Sequence, residues 1–106
     1  MDFKTLQRAV HQNSIDHGWW KGRFNIPEKL ALIHSEVSEA LEDYRCNKML
    51  EIEEALKPCG FPSELADVVI RCMDLAEYLG IDLHGAIIRK HYYNKSRKFR
   101  HGGKKC

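Results

Sequence analysis

Little in this chain breaks a helix, and nothing in it alternates like a strand. Only 3 of its 106 residues are proline, and no stretch shows the period-two pattern of a half-buried strand. The 4 cysteines form no C-x-x-C pair and no histidine spacing completes a zinc site, so the pattern of a structural zinc site is missing and reduced thiols are expected. No apolar run is long enough to cross a bilayer. Met1-Asp2-Phe3-Lys4 lacks the charged-then-apolar build of a signal peptide, so the expected location is the cytoplasm, with no membrane partner. Glu-x-x-His does not occur, which argues against a carboxylate-bridged di-iron or di-manganese bundle. From Arg89 to Lys105 there is not one acid, although the formal net charge of the whole chain is only +2. The molecule is therefore no polycation, but one end is basic and its middle acidic.

What is present reads as helix. The size is that of one domain, and the expected class is all-α, with four to five helices. A first helix is predicted from near Asp2 to about Ile15, with Phe3, Leu6 and Val10 on one side. A loop with Trp19, Trp20 and Gly22 leads to a second helix, from near Pro27 to about Cys46, with the core stripe Leu30, Ile33, Val37, Leu41 and Tyr44. Residues 47–55 are compatible with a short helix or a loop. Lys57-Pro58-Cys59-Gly60-Phe61-Pro62 is a breaker cluster, and Ser63 is the predicted N-cap of a third helix that ends before Gly80. Asp82 caps a fourth helix running into the basic segment. Residues 1–98 form the expected helical domain, and 99–106 a basic, flexible tail containing Gly102-Gly103. The third helix is apolar on two sides: Leu65, Val68, Val69, Cys72 and Leu79 on one, Ile70 and Met73 on the other. So short a chain does not easily cover both, which predicts a bundle completed by homo-oligomerisation, as a dimer or tetramer.

The chemistry lies in two acid pairs, Glu36-x-x-Glu39 and Glu64-x-x-Asp67, on the second and third helices. Acids three apart project from nearly the same side of a helix, one turn apart. Packing the two helices together surrounds one spot with four carboxylates. Such a cluster needs a cation if it is partly buried, and an all-oxygen, anionic donor set suits a hard ion, Mg²⁺, with Mn²⁺ as a substitute. Each pair alone is the ordinary composition of a solvated face. Their placement beside apolar stripes, without lysines at i+4 of Glu36 and Glu39, favours the metal reading.

Lys90, Asn94 and Arg97 recur at i, i+4 and i+7 and share a helix face. The two cations suit phosphate oxygens, and Asn94 can donate to a phosphate or sugar oxygen. The plainer reading of these three is a solvated basic helix end. Of the two tryptophans, one is expected to plug the core and Trp20 to stack on a base.

Leu32-Ile33-His34-Ser35-Glu36-Val37-Ser38-Glu39-Ala40-Leu41, then Glu64-Leu65-Ala66-Asp67-Val68, Lys90-x-x-x-Asn94-x-x-Arg97 and Arg100-His101-Gly102-Gly103-Lys104 together resemble the MazG-like branch of the all-α nucleoside triphosphate pyrophosphohydrolases. The resemblance spans most of the chain. It implies Mg²⁺ held by Glu36, Glu39, Glu64 and Asp67. It also implies hydrolysis of a (deoxy)nucleoside triphosphate between the α and β phosphates, in a helical dimer or tetramer. By the same resemblance His11, Trp20 and Asn94 contact the substrate, while Arg71 stands where some relatives carry an aromatic residue. Glu36 and Glu39 are the expected catalytic acids, Glu39 as the base that accepts a proton from water. Nucleic acid is not the expected partner. A helical nucleic-acid-binding or regulatory protein using the basic end, with Tyr92, Tyr93 and Phe99 interleaved, is the alternative.

Overall fold

A computed structural model describes residues 1–54 and 57–97. The order is α1 (Phe3–Asp16), α2 (Ile26–Arg45), β1 (Ile52–Glu54), β2 (Lys57–Cys59), α3 (Phe61–Tyr78) and α4 (Leu83–Ser96). The chain is thus mostly helical, as expected. The expected 99–106 tail, Lys98 and Ala55 lie outside the described residues.

Side-chain caps set three of the helix starts. Asp2 accepts from the Thr5 amide, Asn25 from Glu28 and Asp82 from Gly85, each contact contributing about 1 kcal/mol. Pro27 sits in the first turn of α2, where its missing N–H leaves nothing unpaired. The expected N-cap Ser63 is a correction. Helix α3 begins at Phe61 behind Gly60, which makes no side-chain cap, and the Ser63 hydroxyl donates instead to the Pro58 carbonyl. The reason is the segment before it. Residues 52–54 and 57–59 pair as a short antiparallel hairpin in the register Ile52↔Cys59, Glu53↔Pro58 and Glu54↔Lys57. This hairpin also corrects the expectation of no strand. Pro58 is tolerated because a two-stranded ribbon has only edges. The Phe61 amide then donates to the Lys48 carbonyl at 2.7 Å, closing the loop onto the start of α3. Gly60, at φ 99°, lies so close to the Leu50 carbonyl that a Cβ there would collide with it.

Helix α3 is the centre of the fold and packs against both α1 and α2. Its buried residues are Met73, Leu75 and Ala76. The expected core stripe of α2 requires correction. Val37, Leu41 and Tyr44 are 53%, 57% and 60% exposed, and Leu30 is also exposed. The buried residues of α2 are Glu36 and Ala40. They belong to the row Lys29, Ile33, Glu36, Ala40 and Asp43, spaced by four and three, which is the seam a helix presents to a neighbour. On α3, Leu65, Val69, Ile70 and Leu79 are likewise exposed. The acid-bearing edge is turned inward, and the greasier face is left to solvent in the single chain. Helix α4 has no buried residue.

Candidate functional site

Two seams build the site. On α3, Glu64, Asp67, Arg71 and Asp74 follow at intervals of three, four and three, so they form one row along the helix. Opposite this row, α2 contributes Glu36. One carboxylate oxygen each of Glu36, Glu64 and Asp67 lies within 4.8 Å of the others. Glu36 is only 7% exposed. Its Oε1 accepts from Arg71 Nε at 2.6 Å. Among the described residues its Oε2, together with Oε2 of Glu64, is buried with no hydrogen-bond partner. Glu39 is exposed and is not one of these three convergent ligands. It bears on Glu64 instead, whose carboxyl its presence helps to raise.

The electrostatics follow from this crowding. Burial pushes the Glu64 carboxyl up to about 7, helped by the hydrogen bond and charge of Glu39 and by the charges of Asp67 and Asp43. Burial, then the Glu36 charge, also raises the Asp67 carboxyl from its ordinary value, against the opposing pull of Arg71. An unpartnered buried acceptor costs on the order of 1–3 kcal/mol. Here two such oxygens belong to one anionic cluster. A hard divalent cation held among these acids would satisfy such oxygens and relieve the repulsion, so the donor set fits Mg²⁺.

Next to the acids a cleft of about 430 Å³ opens between α1, α3 and the start of α2. Its lining includes the apolar Leu6, Val10 and Ile70 and also Trp19, Lys29 and Arg71. Glu36 and Asp67 line it too, so the cleft and the acid cluster are continuous. The Arg71 guanidinium carbon is 5.1 Å from the centre of the Trp19 ring, and Lys29 donates to the Trp19 carbonyl at 2.8 Å.

Asp74 organises the end of the cleft. It accepts from Ser14 Oγ at 2.7 Å and from Trp20 Nε1 at 2.9 Å, and lies 2.6 Å from His11 Nδ1. Trp20, which the sequence suggested for base stacking, has its indole N–H committed to Asp74. Its ring stacks on Tyr78 at 4.3 Å, with Lys29 Nζ 4.2 Å from its centre. Trp19 is the more exposed of the pair. His11 touches Trp20 edge-on and is held by Asp74. One turn along, the buried Gln7 donates to Glu77 and to the Ile81 carbonyl, so a ladder of polar contacts joins α1 to α3.

Lys90 and Asn94 are exposed on α4, but Arg97 is its extended C-cap residue, so the expected shared helix face is corrected to Lys90 and Asn94 alone; none of the three lines the cleft of its own chain. Lys90 Nζ and the Arg97 guanidinium carbon instead lie 5.2 and 5.8 Å from the centre of the Tyr93 ring. The structure thus brings together Glu36, Glu64 and Asp67, leaves Glu39 outside that trio, places Trp20 in the lining of the cleft with His11 behind it on Asp74, and leaves the basic triad apart. Asp74 and Lys29 were not singled out from the sequence. The three-four-three spacing of Glu64, Asp67, Arg71 and Asp74 was the signal available for Asp74. Compared with profiles of known protein families, with curated proteins and with solved structures, the chain matches none.

Proposed function

We propose that this chain is a Mg²⁺-dependent nucleoside triphosphate pyrophosphohydrolase, releasing pyrophosphate and the nucleoside monophosphate from ribo- or deoxyribonucleoside triphosphates. The observation that carries the reading is the pair of buried, unpartnered oxygens on Glu36 and Glu64 beside Asp67, next to a cleft large enough for a nucleoside that Glu36 and Asp67 line. The resemblance of the acid and basic motifs to MazG-like enzymes points the same way.

In this reading Glu36, Glu64 and Asp67 would hold the ion, with Glu39, the fourth acid of the motif, beside them. When bound, Mg²⁺ offsets the charge of the triphosphate and lowers the pKa of a coordinated water. Water attacks the α phosphorus in line. The new P–O bond forms as the bridging bond to the β phosphate breaks, and pyrophosphate leaves. Glu39 takes the proton of the attacking water. It is the acid of the four that lies outside the tight trio and is open to solvent, so it is free to exchange that proton. The cleft excludes water from the nucleoside, and Trp19 offers the more open indole for stacking.

The same reading includes a homo-oligomer. The exposed Val37, Leu41, Tyr44, Leu65 and Val69 supply apolar faces on α2 and α3 that a second copy would bury. In such an assembly, Lys90, Asn94 and Arg97 reach a substrate phosphate from a neighbouring copy. The alternative, nucleic-acid binding by α4, has one observation in its favour. Tyr92 and Tyr93 are exposed with Lys95, Lys90 and Arg97 against their rings. A panel of nucleoside triphosphates with Mg²⁺, read by pyrophosphate release, decides between them. Turnover that EDTA abolishes is the expected result. Salt-sensitive binding of oligonucleotides with no turnover on any triphosphate would overturn the hydrolase reading.

A further inference from the structure

We propose that Arg71 is the residue that grips the phosphate chain of the ligand, held ready for this by Glu36. The inference rests on the hydrolase reading above and adds to it a specificity-determining group. The Arg71 Nε donates to Glu36 Oε1 at 2.6 Å. Among the described residues neither of its terminal nitrogens makes a hydrogen bond or ion pair. Arg71 lines the cleft, and its guanidinium carbon rests 5.1 Å from the Trp19 ring centre. A guanidinium is a planar fork. One edge can hold a carboxylate while the two terminal amino groups stay free to donate, in a fixed plane, to two oxygens of one phosphate.

The position of this fork selects phosphate over base. Glu36, its tether, is also one of the three acids whose oxygens converge. A group bonded to Glu36 is therefore within a few ångströms of the place where a cation-bound triphosphate must sit. The tether divides the work of one carboxylate. Glu36 Oε1 orients the guanidinium, and Oε2, buried and unpartnered, is left for the cation. The positive charge also offsets part of the repulsion between four acids and an incoming polyanion.

Two substitutions test this, Arg71→Met and Arg71→Lys, each checked for folding by circular dichroism. Arg71→Lys carries the test if Arg71→Met does not fold. The expected result is a KM for every triphosphate raised about tenfold or more, with kcat changed by less than about threefold. Lysine should fail to rescue, because an ammonium cannot hold Glu36 and present a planar fork together. Binding of a methylene-bridged, non-hydrolysable triphosphate, followed by Trp19 emission with Trp19→Phe as control, should weaken in parallel. Titration with Mg²⁺ alone provides the contrast. If metal affinity changes while KM and analogue binding stay as in the native chain, Arg71 is only a counter-ion for Glu36 and the proposal is overturned. Loss confined to guanine nucleotides would overturn it as well, by showing that the fork reads a base edge. A native chain that neither binds nor turns over any triphosphate would bring down the hydrolase reading itself, and this inference with it.

Discussion

His11 Nδ1 lies 2.6 Å from Asp74 Oδ1, and this contact joins α1 to α3 across 63 positions of sequence. The same carboxylate accepts from Ser14 and Trp20. One acid thereby fixes the register of α1 on α3 and the rotamer of the indole at the end of the cleft. Replacing Asp74 with Ala leaves three partly buried donors without an acceptor. The expected loss is about 2–4 kcal/mol of stability, read as a lower midpoint in urea. The Trp20 emission should shift as its N–H meets water. An unchanged midpoint would show that the ladder between α1 and α3 does not support the fold.

The acid cluster predicts opposite effects on activity and on stability. Glu36→Gln, Glu64→Gln and Asp67→Asn should each lower Mg²⁺-dependent pyrophosphate release by about a hundredfold or more, since each removes an anionic ligand. In EDTA, Glu64→Gln should melt above the native chain, because a charge repelled by Glu39 and Asp67 is gone. Full activity in any of the three variants would place the site elsewhere.

Glu64 also sets a pH dependence for the metal-free chain. Its folded-state pKa, near 7, is above the ordinary value of 4.5. The folded state therefore holds this proton more tightly than the unfolded state does. That contribution to stability is fully present below pH 4.5 and is lost as pH rises through about 7. Asp67, whose pKa is also raised, adds in the same direction. A thermal melt in EDTA should lose midpoint across this window, and Glu64→Gln should flatten the loss. Adding Mg²⁺ at the upper end should restore the midpoint. A midpoint that climbs through the same window in EDTA would contradict the crowding of these carboxyls.

The exposed side of α2 gives a test of assembly. Leu41, 57% exposed in the single chain, is a natural contact for a second copy. Leu41→Glu should reduce the mass measured by light scattering to that of one chain while α1 to α3 stay folded. A native chain that is already monomeric at high concentration would remove the homo-oligomer from the proposed function.

The basic triad tests the other end. Lys90→Ala and Arg97→Ala should weaken triphosphate binding severalfold and leave the melting midpoint within about 1 kcal/mol of native stability, as for other exposed residues. Mixing an inactive Glu64→Gln chain with a binding-impaired Lys90→Ala chain should recover part of the native triphosphate affinity in turnover if the triad acts across copies. No recovery, with each variant well folded, would show that the triad and the acids do not meet in an assembly.

Local chemistry was readable in advance. Asp2, Asp82 and Pro27 mark helix starts and Gly80 a helix end, because caps and breakers act within a few residues of themselves. The positions of Glu36, Glu64 and Asp67 on adjoining helices were also legible from spacing. The face that each helix turns inward was not. The pattern Leu30, Val37, Leu41 and Tyr44 has the period of a core stripe, yet Glu36 and Ala40 are the residues that α2 buries. Periodicity shows that a helix has an apolar side, but not which neighbour covers it. The hairpin at 52–54 and 57–59 was hidden for a similar reason, since three residues per strand are too few to show alternation.

By itself the chain's order of residues determined a mostly helical protein, where α1, α2 and α4 start, and the two acid-bearing turns, all consequences of contacts between near neighbours. Tertiary structure alone decided that Glu36 sinks beside Arg71, that Asp74 gathers His11, Ser14 and Trp20, and that Lys90, Asn94 and Arg97 stand apart from the acids. Those outcomes depend on how α1, α2 and α3 rotate about their own axes as they pack. That rotation is set by the balance between burying apolar surface and satisfying charged groups, a sum over the whole fold that no short window of sequence contains.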